Sequence, residues 1–449
     1  FKQKTAYEIY QCDWSSDVCS SDLHIPDLVV RPRTEEDVVD VLDWCTSSDL
    51  PVVPYGGGSS VVGGVEPRFD GPAVTLDLTA LDRVLEVDPV SRAARIQAGA
   101  YGPALEDQLR PHDLTLRHFP QSFEYATIGG VAATRSSGQS SAGYGRFDSM
   151  VVALRVATPV GEVRLGASPA NASGPDLREL FLGSEGAFGV ITEVTVRIRP
   201  LPEVKEYEGW RWPSFDAGAD AMRALAQSDL LPTVIRLSDE SETAINLADP
   251  ESIGGEGDAG CLMIVGHEGT PAAVAAKKAA VTEALTALGG TAQGSGPGEA
   301  WAHGRFNAPY LRDSLLDNGV LVETLETVTY WSNRDNLYAR VKAALQETLG
   351  EGAMVLCHIS HVYATGCSLY FTVAAPGGAD PLATWLPAKA AACEAIVAAG
   401  ASITHHHAVG TDHRPYLSAE IGEVGVEVLR AVKKAVDPAG VLNPGVLIP

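Results

Sequence analysis

Near its C-terminal end the chain reads THHHAVG, Thr404–Gly410, with imidazoles at His405, His406 and His407. Imidazole changes charge near neutral pH, so such a run can ligate a metal, move a proton or hold an anion. On an extended chain neighbouring side chains point to opposite faces, and at most His405 and His407 could share one ion. The segment CHISH, Cys357–His361, adds possible ligands but no recognised zinc spacing, and no metal is expected. The run is internal and followed by about forty residues of patterned sequence, which does not fit an affinity tag.

Three glycine-rich segments offer a second kind of chemistry. PYGGGSSVVGG, Pro54–Gly64, puts three glycines and two hydroxyls directly after an apolar run. Successive backbone N–H groups without Cβ atoms can form a concavity for a pyrophosphate, although this is neither GxGxxG nor GxxxxGK[ST]. FPQSFEYATIGGVAATRSSG, Phe119–Gly138, and SGPDLRELFLGSEGAFGVITEVTVRIRP, Ser173–Pro200, have the same character. Each alone reads equally well as a structural turn. Three together suggest a long dinucleotide lying across several backbone approaches.

The elements that must position these segments begin with strand, helix, strand and glycine turn. Leu28–Val30 reads as a strand, Thr34 and Asp37 as a helix start before Val38, Val41, Leu42 and Cys45, and Val52–Tyr55 as a second strand. Val74–Ala98 alternates and turns at Asp88–Ser91, which predicts antiparallel strands, and a helix is expected over Pro103–Arg110. Gly129–Gly145, poor in bulky apolar residues, reads as backbone close to a ligand rather than core. The register changes after VTVRIRPLPE, and a second domain is expected from residue 204. Its expected elements are strands near Leu262–Gly266, Leu321–Tyr330, Val355–His361 and Ser368–Val373, and helices over Ala272–Leu288, Asp335–Leu349 and Pro381–Ala399. The tail reads as a helix stopped by Asp437-Pro438.

The segments IPDLVV, PYGGGSS, PQSFEYATIGG, ATRSSG, SGPDLRELFLGSEGAFGVIT and HHHAVG resemble, in order and spacing, flavoproteins of the vanillyl-alcohol oxidase type, and in detail the alkyldihydroxyacetonephosphate (alkylglycerone-phosphate) synthases. The resemblance runs from about His24 to Pro449. It implies an α+β fold, with a two-subdomain FAD-binding domain over 24–203, an α+β cap or substrate domain over 204–400, and a C-terminal segment, 401–449, returning to the FAD domain. The implied FAD contacts are Pro54, Tyr55, Gly56, Gly57, Gly58, Ser59 and Ser60 in the first segment. In the second they are Gln121, Ser122, Phe123, Glu124, Tyr125, Ala126 and Thr127, followed by Ala133, Thr134, Arg135 and Ser136. In the third they are Glu185, Gly186, Ala187, Phe188, Gly189, Val190 and Ile191. Relatives that attach FAD covalently do so through a His or Cys; Ser59, Ser60 and GYGRF stand at those places, which implies non-covalent FAD.

The family's catalytic tyrosine falls on Tyr370 in CSLYFTV. Alternation independently puts Ser368, Tyr370 and Thr372 on the face opposite Cys367, Leu369, Phe371 and Val373. A free phenol titrates near pH 10, so an acid/base role calls for nearby cations that favour the phenolate. Arg236 in TVIRLSD and Arg312 in PYLRDS match substrate-binding arginines, and a guanidinium grips a phosphate with parallel hydrogen bonds. The resemblance places His405, His406 and His407 at the active site. It implies redox-neutral exchange of the acyl chain of acyl-dihydroxyacetone phosphate for a fatty alcohol, an ether-lipid step. FAD-dependent oxidation of a D-2-hydroxy acid such as lactate or glycolate is the second reading, and a catalytically idle flavin-binding or lipid-carrier protein the third.

Composition bounds these readings. Lys+Arg 33 against Asp+Glu 57 gives a formal charge of −24, which repels nucleic-acid phosphates and anionic membrane surfaces. No nucleic-acid partner is expected, and an anionic substrate needs a local cluster of Arg and His. Seven scattered cysteines do not form a disulfide framework and fit a reducing cytoplasm. The expected partners are a lipid-like phosphate ester and a fatty alcohol, with peripheral membrane contact and a homodimer as further expectations. Phe1–Leu23, rich in Ser and Asp and without apolar period, reads as non-native or disordered and is set aside.

Overall fold

The computed structural model describes residues 24–246 and 260–449. The reading of Phe1–Leu23 lies outside the described residues. Two compact units are present: one takes 24–138, Arg146–Leu201 and His406–Pro449, the other Gln139–Gly145 and Pro202–His405. The division falls close to the register change after VTVRIRPLPE, and the first unit includes the last 44 residues, beginning at His406 where the expected segment begins at 401; the second takes Gln139–Gly145, which was expected in the first.

In the first unit, Thr34 accepts from the Asp37 backbone N–H while the Asp37 carboxylate accepts from the Thr34 N–H, a reciprocal cap that starts the helix Glu35–Ser48. Val38, Leu42 and Cys45 fall on one helical face and are fully buried. They meet Val52, Val74, Leu76 and Leu442 in one apolar cluster. Val74–Asp77 differs from its expected antiparallel pairing. It lies parallel between Leu28–Val30 and Val52–Tyr55, and only Val84–Asp88 and Ala93–Gln97 form the hairpin. Val74, Thr75 and Leu76 are all buried, as a central strand covered on both faces requires, and a short 3-10 turn, Leu78–Ala80, redirects the chain. The hairpin joins Val190–Arg197, Val151–Thr158 and Gly161–Leu165 in a five-stranded antiparallel sheet.

Gly129–Gly145 also differs from expectation, because its first part is core. Ile128–Ala133 is a short helix with Ile128, Gly129, Val131 and Ala132 buried. A Cβ on Gly129 would stand 2.6 Å from that of Ala98, so this glycine serves close packing of helix against strand.

The second unit is built on a seven-stranded sheet in the order Thr291–Ala292, Val204–Trp212, Cys261–Gly269, Val234–Ser238, Met354–Ile359, Gly366–Pro376 and Val320–Tyr330, with every pairing antiparallel. The helices Pro271–Ala287, Arg334–Leu349 and Pro381–Ala398 lie where the apolar spacing places them. Sequence reading missed the strands Val204–Trp212 and Val234–Ser238 and the helices Phe215–Gln227 and Ala308–Asp317. VKEYEGWRW is dense in charge yet buries both Trp210 and Trp212, and FDAGADAMRALAQ buries Phe215, Ala219, Met222 and Leu225 on one helical face, a regular period that sequence reading passed over. Among the described residues no helix is long and apolar enough to cross a membrane.

Candidate functional site

The glycine-rich segments of the first unit lie against one another. The strand Val52–Tyr55 delivers Gly56, Gly57 and Gly58 to the turn Gln121–Thr127. A Cβ on Gly57 would fall inside the Tyr125 carbonyl and one on Gly56 against the Thr127 hydroxyl. Gly58 is left-handed, with φ 66°. The Ser60 hydroxyl accepts from Gly64 N–H at 3.0 Å, Ser59 and Ser60 are half-buried, and Gln121 and Glu124 are exposed. Ala133 O accepts from Glu185 N–H at 2.9 Å. Arg135 donates from Nε to Leu182 O at 2.9 Å and pairs with Asp148 at 3.3 Å, while Ser136 Oγ stands 3.3 Å from His118 Nε2.

Not every residue of the third segment is free to meet a ligand. Ala187, Phe188, Val190 and Ile191 are core residues, and a Cβ on Gly186 would stand 2.8 Å from the Pro54 ring. The carboxylate of Glu185 accepts from Val409 N–H at 3.0 Å and from Gly410 N–H at 2.9 and 3.0 Å. Its backbone oxygen accepts from Asn443 Nδ2. Glu185 therefore ties the segment after the histidine run to the FAD-type unit. Burial pushes its carboxyl up to about 7, against the Gly410 and Val409 amides that favour the anion.

The donor set of this unit fits FAD. Ser137 Oγ and His118 Nδ1 are buried and have no hydrogen-bond partner among the described residues, and buried polar atoms of a native protein find one. Both lie next to glycine-rich backbone, whose amides suit a pyrophosphate. Burial, and next the nearby His406, drives His118 down to about 3, so its ring is neutral and offers one donor and one acceptor.

The second unit assembles the expected tyrosine and arginines with partners that sequence reading did not foresee. Tyr370 is half-buried on Gly366–Pro376, opposite Glu326 on one neighbouring strand and His358 on the other. Its ring stacks on that of His358, with centroids 4.7 Å apart and planes at 19°. His358 Nδ1 stands 3.1 Å from Arg236 Nη2 and 3.2 Å from Glu242 Oε1, and Arg236 Nη2 donates to Glu242 at 2.6 Å. Arg312 faces Glu323 at 4.0 Å. The Tyr370 phenol is raised above its ordinary value, chiefly by burial; Thr324 lowers it, Glu326 raises it, and Arg236 and Arg312 lower it. The expected pair of cations is present, but burial outweighs it and the phenol holds its proton. Glu242 is held at about 2: burial raises it, and His358 and Arg236 more than offset that.

The histidine run is not a strand. Residues 405–409 are irregular and Ala408 has φ 73°, so the opposite-face rule does not apply. His405, in the second unit, is buried; its backbone N–H donates to both oxygens of Glu326 at 3.0 and 2.8 Å, and the Thr404 hydroxyl donates to the same carboxylate at 2.5 Å. His405 Nε2 stands 2.6 Å from Tyr363 OH, and its ring stacks on His361 at 4.8 Å. His406 and His407, in the first unit, are half-buried and meet edge to face at 4.8 Å. His361 and His358 both come from CHISH, which offered possible ligands without a recognised zinc spacing. Glu242, Glu326 and Tyr363 belong to no motif: Glu326 meets the His405 amide 79 positions away, Tyr363 the His405 ring 42 positions away, and Glu242 the Arg236 guanidinium across six positions that join a strand to a helix.

Residues 26–166 match the FAD binding domain and residues 201–447 the C-terminal domain of FAD linked oxidases. The alkyldihydroxyacetonephosphate synthase of Trypanosoma brucei brucei is 34% identical over 452 residues, covering 94% of this chain and 73% of the relative. That of Dictyostelium discoideum is 33% identical over 451 residues with the same coverage. A solved structure of an alkyldihydroxyacetonephosphate synthase superposes with a TM-score of 0.78 at 31% identity, covering 94% of this chain and 76% of that one. A p-cresol methylhydroxylase, 19% identical with a TM-score of 0.75, shares the fold. With this fold, this donor set and these relatives, the chain belongs to the alkyldihydroxyacetonephosphate synthase family of FAD-linked enzymes.

Proposed function

We propose that this protein exchanges the acyl chain of acyl-dihydroxyacetone phosphate for a fatty alcohol, releasing a fatty acid and leaving the flavin unreduced at the end of each turnover. The observation that carries the reading is the convergence on Tyr370 of Arg236, through His358, and of Arg312, from separate elements of one unit. Arg236 and Arg312 hold the substrate phosphate. Tyr370 moves the proton at the carbon that bears the ester, and its raised proton affinity suits donation as well as return. Glu326 holds His405, and His405 supports the phosphate and the phenol from within the same unit. FAD, held non-covalently by the glycine-rich segments, supplies the electron-accepting ring that carries the bond exchange. Two substrates with long alkyl chains call for peripheral membrane contact from a cytoplasmic protein, and a homodimer is part of the same proposal.

The D-2-hydroxy acid reading shares the fold, but relatives at 33–34% identity over 94% of the chain favour the synthase. An anaerobic single-turnover experiment tests the proposal. Acyl-dihydroxyacetone phosphate should release fatty acid without lasting flavin bleaching, and D-lactate should leave the flavin oxidised. Tyr370→Phe should keep FAD and lose exchange; full activity in that variant would sink the role of Tyr370, and bleaching by D-lactate would reverse the reading.

A further inference from the structure

His358 Nδ1 stands between two groups with opposite demands: Arg236 Nη2 at 3.1 Å and Glu242 Oε1 at 3.2 Å. A guanidinium only donates and a carboxylate only accepts, so one ring nitrogen cannot serve both at once. Bonded to Arg236, Nδ1 offers its lone pair and the ring is neutral. Bonded to Glu242, Nδ1 carries a proton, and with Nε2 keeping the proton it holds in the first arrangement the ring is an imidazolium. The near-equal distances leave both arrangements within reach of a residue that is 6% exposed.

Charge balance decides which position a ligand selects. Arg236 and Arg312 face Glu242 and Glu323, and Glu326 adds a further carboxylate beside Tyr370. A phosphate monoester above its second pKa of about 6 brings nearly two negative charges. The two arginines, each already opposite a carboxylate, do not neutralise it. Drawing Arg236 toward the phosphate would also strip Glu242, 7% exposed, of its charged donor, and an unpaired buried carboxylate is costly.

We propose that His358 is a specificity-determining residue of this site: when a phosphate dianion draws Arg236 to itself, His358 takes up a proton and turns from accepting from Arg236 to donating to Glu242. The inference rests on the phosphate-binding role given to Arg236 above. Proton uptake keeps Glu242 paired and adds one positive charge where the dianion needs it. A singly charged carboxylate substrate gains less from the same proton, so the device discriminates phosphate esters from hydroxy acids. The resulting imidazolium lies over the Tyr370 ring, where a cation is attracted to the aromatic face. Among the groups that face His358 are Arg236 from Val234–Ser238, Glu242 from Glu240–Asn246 and Tyr370 from Gly366–Pro376; Arg312 and Glu326 act on the same phenol, and Asp239 and Lys342 act on the adjoining Cys357.

The test is calorimetric titration of the FAD-loaded protein with dihydroxyacetone phosphate at pH 7.5, repeated in two buffers of different ionisation enthalpy. At that pH the ligand is almost wholly dianionic, so protons taken up go to the protein. Wild type should take up a substantial fraction of one proton per ligand bound, and its affinity should fall as pH rises. His358→Gln should bind roughly tenfold more weakly, as loss of a charge-assisted bond implies, with the proton uptake and the pH dependence both lost. Binding by wild type without uptake, or equal uptake in His358→Gln, overturns the proposal, and the first of these results overturns it even if the variant does not fold. Proton-linked binding with no acyl exchange would instead sink the proposed function and leave this inference standing.

Discussion

Replacement of Glu185 by Gln isolates the buried carboxylate that holds Val409 and Gly410. Its carboxyl stands at about 7 against an ordinary 4.5, so between those values the folded protein binds more protons than the unfolded chain. Stability from this group is therefore full below pH 4.5 and lost as pH rises through 7. At 1.36 kcal/mol per pH unit the whole effect is about 3 kcal/mol, and roughly 2.5 kcal/mol of it falls between pH 5 and pH 8. Glutamine cannot titrate but keeps one acceptor for the Val409 and Gly410 amides. Urea unfolding of wild type and Glu185→Gln at pH 5 and pH 8 measures the effect as a difference between differences, in which every other titrating group cancels. Wild type should lose about 2.5 kcal/mol more than the variant over that range. An identical pH dependence in the two proteins would refute both the burial of this charge and its role in fastening the segment after the histidine run.

Two further substitutions probe each unit separately. Gly57→Ala places a Cβ inside the Tyr125 backbone carbonyl, which has no flexible end to move aside, so the purified variant should carry little FAD by its 450 nm absorbance; wild-type flavin content would contradict the packing of these two segments. Asp239 is fully buried and accepts from Tyr338 OH at 2.9 Å, Lys342 Nζ at 3.2 Å and Glu242 N–H at 2.8 Å, so Asp239→Asn should cost about 2 kcal/mol, discounted because Lys342 is one-third exposed. A urea midpoint unchanged from wild type would mean that this network does not hold the helix bearing Glu242.

Local chemistry made much of the chain legible. The capping box at Thr34 and Asp37, the alternation through CSLYFTV and the long apolar periods of the second unit are short-range patterns, and they marked elements close to where the structure has them. The reading failed where a local pattern was ambiguous. Val74–Asp77 alternates weakly and fits an antiparallel or a parallel strand equally well; only its burial on both faces selects the parallel place. Gly129–Gly145 lacks bulk, which is as good for close packing as for ligand approach, and the contact of Gly129 with Ala98 decides for packing. The histidine run was judged by the rule for extended chain, and the left-handed Ala408 removes that rule.

By itself the sequence determined many of the elements, the three glycine-rich segments, the acidic net charge, and the presence of Tyr370, Arg236, Arg312 and the histidines. These follow from residue type and spacing over a few positions. What only the tertiary structure decided are the pairings: His358 against Tyr370, 122 positions from the Arg236 it also meets, and Glu326 beneath the His405 amide, 79 positions away. The proton affinities of Tyr370, Glu185 and Glu242 belong to the same class, since they depend on burial and on charges brought close by folding. A carboxylate in sequence is an acid of ordinary strength; whether it becomes a fastener near 7 or an anion near 2 depends on which amides, arginines and apolar walls the fold sets around it.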